Sequence, residues 1–93
     1  MTSRISLIIA KATAITDSID RMGDANKGKQ ATGSVGKDYN TLRQQALIEK
    51  VELDNLLPPA VSVKAYRDFT EKTDESYAEI HNYCNQIIYL LKA

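Results

Sequence analysis

Small and branched apolar residues recur along the start of the chain at alternating steps of three and four: Ile5, Ile8, Ala12, Ile15, Ile19 and Met22. That spacing keeps to one face over about five helical turns and predicts an amphipathic helix from about residue 3 to 22. Thr2 or Ser3 offers a capping hydroxyl, and Gly23 offers the left-handed conformation that ends many helices. A second stripe of the same period, Tyr77, Ile80, Cys84, Ile87, Ile88 and Leu91, predicts a helix over about 74–91. Thr73 or Asp74 would cap it, and Lys92 suits the negative end of its dipole. At about 100° per residue, Tyr83 and Leu90 fall beside the stripe, so half of the circumference is apolar. A helix of that kind packs against two neighbours.

The pattern weakens between these ends. Asp38 suits a helix cap, and Tyr39, Leu42, Ala46, Leu47 and Val51 give an apolar face over about 38–50. Leu53, Leu56 and Leu57 extend it to 57, and Pro58-Pro59 ends it. Residues 60–72 read two ways. Ala60-Val61-Ser62-Val63 alternates like a strand, whereas Ser62 also caps a helix through Val63, Tyr66 and Phe69. With no second strand to pair with, a short helix or irregular segment is expected. All four glycines lie in residues 23–37 together with Lys27, Lys29 and Lys37, so this stretch is expected to be a flexible loop. The predicted fold is therefore all-α: one domain, a small three- to four-helix bundle with a long Gly/Lys-rich loop after helix 1.

Composition narrows the possible roles. A chain of 93 residues buries only roughly 60–65% of its unfolded surface, so every apolar stripe must find a partner, in the chain or on another copy. The five tyrosines, with no tryptophan, provide amphipathic surface usable at interfaces. Net charge is zero, which argues against a protein that coats nucleic acid along its length. The charge is nevertheless uneven: residues 1–46 carry seven Lys/Arg against four Asp/Glu, and residues 47–93 carry five against eight. Cys84 is the only cysteine, which excludes an internal disulfide and fits the cytoplasm. Arg4 and Ala12-Thr13-Ala14 imitate a secretion signal, but Lys11 cuts the apolar run at Ala10. Nothing approaches the ~18–20 apolar residues of a membrane span.

Chemical motifs fail on spacing. A phosphate-binding loop needs Gly, four residues, then Gly-Lys-Ser/Thr. Here Ala31 stands where the first glycine belongs, and Asp38 follows Gly36-Lys37. His81 and Cys84 sit three apart on one helix, but no other His or Cys completes a zinc site. Asp68, Glu71, Asp74, Glu75 and Glu79 lack the Glu-x-x-His pairing of a diiron bundle, because Ala78 precedes His81 by three. Neither catalysis, a metal nor a cofactor is expected. The expected role is a protein-interaction or self-association module, with Leu7, Tyr77, Tyr83 and Leu90 as interface candidates. The alternative is anion or nucleic-acid binding by Lys27, Lys29 and Lys37.

Overall fold

A computed structural model of the chain describes residues 3–68 and 70–92. The elements run α1 (Arg4–Asp20), α2 (Asp24–Lys27), β1 (Gln30–Thr32), α3 (Gly33–Glu49), a 3-10 turn (Val51–Leu53), β2 (Val63–Ala65), β3 (Glu71–Ser76) and α4 (Tyr77–Lys92). The strands form an antiparallel sheet in the order β1-β3-β2. The fold is thus mixed, and the all-α expectation is corrected in two places. The loop 23–37 holds a helical turn, a strand and the first turn of α3. Within 60–72, and on to Ser76, the chain makes a β-hairpin, with Val63 opposite Thr73 and Ala65 opposite Glu71.

The strands escaped the hydrophobic pattern because they bury so little. In Glu71–Ser76 only Thr73 is buried, and in Gln30–Thr32 only Ala31. Glu71–Ser76 does not alternate apolar with polar, the signal that marks a half-buried strand, and Gln30–Thr32 alternates over only three residues. Helix starts move for a related reason. The last helix begins at Tyr77, not 74, behind a reciprocal capping box: Glu79 N donates to Ser76 Oγ (3.2 Å) and Ser76 N donates to Glu79 Oε1 (3.3 Å). The third helix begins at Gly33, with Thr32 Oγ1 accepting from Val35 N. Ser3 caps α1, its Oγ accepting from Ser6 N at 3.0 Å.

Two glycines let α3 lie directly on the sheet. A Cβ at Gly33 would collide with the Glu71 Cβ, and one at Gly36 with the Thr73 methyl. Both sit in the first turns of the helix, and each lowers helix propensity by about 1 kcal/mol relative to alanine. The compensation is close packing of helix backbone on β3.

Further along α3, three side chains hold the proline segment. Tyr39 Oη donates to Pro59 O (2.8 Å), Arg43 Nε donates to Pro58 O (2.7 Å), and Asn40 pairs with both backbone groups of Val61 (2.9 Å each). Prolines have no amide proton to place in a ladder, so their carbonyls take donors from the helix. This strap aims residues 58–61 into β2.

The core lies between α1, α3 and α4. Ile8, Ala12 and Ile19 of α1 meet Tyr39, Leu42 and Ala46 of α3 and Ile80, Cys84, Ile87 and Leu91 of α4. Arg4 pairs with Glu49, so α1 runs antiparallel to α3; His81 meets Asp20, so it is antiparallel to α4 as well. The sheet covers one end of the helices, and the 3-10 turn, with buried Leu53, closes the other.

Replacing Gly36 with alanine is expected to lower unfolding free energy by about 1–3 kcal/mol, as overpacking does. Gly28→Ala, where a Cβ meets open space, should stay within about 0.5 kcal/mol of the parent. Urea denaturation of both variants checks this; a Gly36→Ala protein as stable as the parent would refute the close packing.

Candidate functional site

The four interface candidates do not form one surface. Tyr83 packs its ring on Tyr39, with centroids 5.7 Å apart and planes tilted by 38°, which makes it part of the core edge. Tyr77 lines a depression with Lys29 and Lys72 beside the sheet. Leu90 lines a shallow groove of about 340 Å³ with Leu56 and Tyr89. Leu7 is 50% exposed and lines the groove between α1 and α3.

The structure exposes apolar residues that were not among the interface candidates. Ile48 is 62% exposed, Val51 70%, Leu56 61% and Tyr89 75%. Apart from Val51, they divide between two hollows, Ile48 with Leu7 on one and Leu56 with Tyr89 on another. Ile48 lay off the stripe of α3, a legible sign. Val51 was placed on that stripe, but the helix stops at Glu49 and the 3-10 turn rotates Val51 outward.

The α1–α3 groove is the better-formed surface. Leu7 and Ile48 both line a cavity of about 280 Å³ there, together with Arg4, Lys11, Gln45 and Glu49. Lys11 donates to Gln45 Oε1 at 3.3 Å, and beyond this bridge a second hollow of about 350 Å³ continues past Ala14, Ile15, Asp38 and Thr41. The walls carry opposite charge. Arg4 and Lys11 stand on α1, and Asp38 and Glu49 stand on α3.

The three loop lysines are dispersed. Lys27 reaches Asp24 (3.5 Å) and Asp20 (3.7 Å), and Lys37 binds Glu71 at 2.7 Å. Lys29 alone of the three has no carboxylate among the described residues, so they do not make a shared anion site.

His81 and Cys84 do not converge either. Cys84 is fully buried, and burial pushes its thiol up to about 12. His81 Nε2 lies 2.9 Å from Asp20 Oδ1, close but not aligned as a hydrogen bond, and Nδ1 faces Asn85 at 3.3 Å. Among the described residues no group of three or more His, Cys, Asp or Glu is placed to hold a metal ion. No helix there is long and apolar enough to cross a membrane.

Comparison with family models, with curated proteins and with solved structures finds no match to this chain.

Burial also pushes the Tyr39 hydroxyl well above its usual value. The unfolded chain releases the Cys84 and Tyr39 protons first, so their contribution to stability is intact below pH 9 and falls as pH rises toward about 12. The melting temperature is therefore expected to decline above about pH 9, and Cys84 should react with a thiol reagent at neutral pH only as fast as the protein unfolds. Rapid labelling of the native protein would contradict the buried thiol.

Proposed function

We propose that this protein is a non-catalytic cytoplasmic module that pairs two copies of itself through the α1–α3 groove. The observation that carries the reading is the combination of Leu7 and Ile48, both at least half exposed on one groove, with a basic wall on α1 and an acidic wall on α3. A two-fold axis along the groove lays α1 of one protomer on α3 of the other. Leu7 then meets the partner's Ile48, and Arg4 and Lys11 meet the wall carrying the partner's Glu49 and the partner's Asp38. Such an isologous contact satisfies both copies with one surface.

Size supports the same reading. The chain extends over 42 × 24 × 23 Å, so a long face approaches the roughly 800 Å² per partner of a standard interface. Within one chain the Arg4–Glu49 contact is long, at 3.5 Å, and Arg4 is largely exposed. An exposed pair of that kind contributes little alone. Sandwiched against a second copy, both groups gain an additional opposite charge.

Charge-swap variants test the proposal. A protein with Arg4→Glu and Lys11→Glu has two acidic walls, and one with Asp38→Lys and Glu49→Lys has two basic walls. Each is expected to sediment as a monomer, and an equal mixture is expected to form heterodimers. Leu7→Asp should weaken the parent dimer by about 2 kcal/mol or more, roughly thirtyfold in Kd. A parent protein that stays monomeric at high concentration, or a mixture that does not associate, would overturn the reading.

A further inference from the structure

The depression beside the sheet has a different chemistry from the groove. At about 610 Å³ it falls within the range of small-molecule sites, and it is lined by Met22, Asn26, Lys29, Gln30, Lys72 and Tyr77. Two cations, two carboxamides, a phenol and a thioether meet there, with no carboxylate, on a chain whose net charge is zero.

Its position is set by the backbone. Tyr77 N donates to Lys29 O at 3.1 Å, which fixes the start of α4 beside the lead-in to β1. Lys72 occupies the central strand, opposite Thr32 on one side and Lys64 on the other. Like charges placed directly across a sheet are unfavourable. Lys64 relieves this by binding Asp74 at 2.9 Å, whereas Lys72 makes no ion pair among the described residues and lies 6.0 Å from the Tyr66 ring.

Most carboxylates on the flanking elements are engaged elsewhere, and Glu75 of β3, which has no hydrogen-bond partner for its buried Oε2, does not line the depression. Asp20 and Asp24 hold Lys27, Glu71 holds Lys37, and Glu79 caps α4. Asp68, on the far side of Lys72, accepts from Thr70 Oγ1 at 2.7 Å. Lys29 therefore has no carboxylate partner among the described residues, and Lys72 makes no ion pair there, its nearest carboxylate influence coming from Asp68 on its far side. The remaining lining suits a planar heterocycle. Tyr77 and Met22 are both half-buried and provide apolar surface for a base, and the side chain of Gln30 makes no hydrogen bond among the described residues. Asn26 Nδ2 is committed to Met22 O, leaving its Oδ1 as an acceptor.

We infer that this depression binds a nucleotide unit, with Lys29 and Lys72 on the phosphate and with Tyr77, Asn26 and Gln30 on the base. The unit can come from a free nucleotide or from a single strand of nucleic acid, since stacking on an aromatic ring and cations on the backbone serve both. The site is independent of the α1–α3 groove.

Fluorescence anisotropy with a labelled oligothymidylate and an oligouridylate, and amide-shift titration with a mononucleotide, distinguish the two sources. Binding of the oligomers with no response to the mononucleotide assigns the strand; saturable shifts at Lys29, Lys72 and Tyr77 with the mononucleotide assign the free ligand. Neutralising that one phosphate predicts a log–log salt slope of about −0.7 for a single strand. Lys29→Ala with Lys72→Ala should weaken binding by on the order of tenfold at low salt. Lys27→Ala with Lys37→Ala, which removes paired lysines outside the depression, should leave binding unchanged, and circular dichroism checks that both proteins fold. No binding of either probe at low salt, equal loss from the two double variants, or equally tight binding of a duplex would overturn the inference.

Discussion

The close approach of α3 to β3 is the constraint on which the other elements depend. Gly33 and Gly36 present bare backbone where Glu71 and Thr73 press in, and a side chain at either position would lift the helix from the sheet. Once α3 is seated, its next turns place Tyr39, Asn40 and Arg43 against the proline segment, and that segment delivers β2 to the far edge of β3. The same seating turns Lys37 to Glu71. It also leaves the distal half of α3 free to pair with α1, and so determines which residues line the groove.

The two end helices were legible because their energetics are periodic, whereas α2 and the first turns of α3 fell in the expected loop. α1 and α4 bury the residues that a 3.6-residue period selects, including Cys84, and Ser3 caps α1. The sheet was only hinted at, by the alternation of Ala60-Val61-Ser62-Val63, because β1 and β3 each bury one residue, Ala31 and Thr73, and β2 buries none, so no strand has an alternating buried apolar face. Glycines and lysines between residues 23 and 37 resemble a linker in composition. That Gly33 and Gly36 serve close packing follows only from the three-dimensional fold, in which any side chain there would strike β3. One clue lay in plain view: Ser76-Tyr77-Ala78-Glu79 is a capping box, and it marks Tyr77 as the first helical residue.

Surface residues divided in the same way. Leu7 was separable by phase, since it lies off the stripe of its helix, and it does line a groove. Tyr83 was equally off-phase, yet its ring packs on Tyr39, because a wide apolar face can be filled by a second neighbour. Phase alone does not distinguish these outcomes. Charge is decided by partners as well: of the three loop lysines, two are neutralised by carboxylates from α1, α2 and β3, and those contacts are invisible to a one-dimensional reading. Lys72 shows the converse. It comes from a segment expected to be a short helix or irregular, and it reaches the same depression as Lys29 only because β1 and β3 are paired.

Pairing of the α1–α3 face with a second copy is the central functional claim, and one spectrum addresses it at the level of atoms. In an isotope-filtered experiment on a mixture of labelled and unlabelled protein, only contacts between protomers give cross-peaks. They are expected between the Leu7 methyls and the Ile48 methyls of the partner copy. Their absence at high concentration, or cross-peaks confined to Leu56 and Tyr89, would contradict pairing through this face.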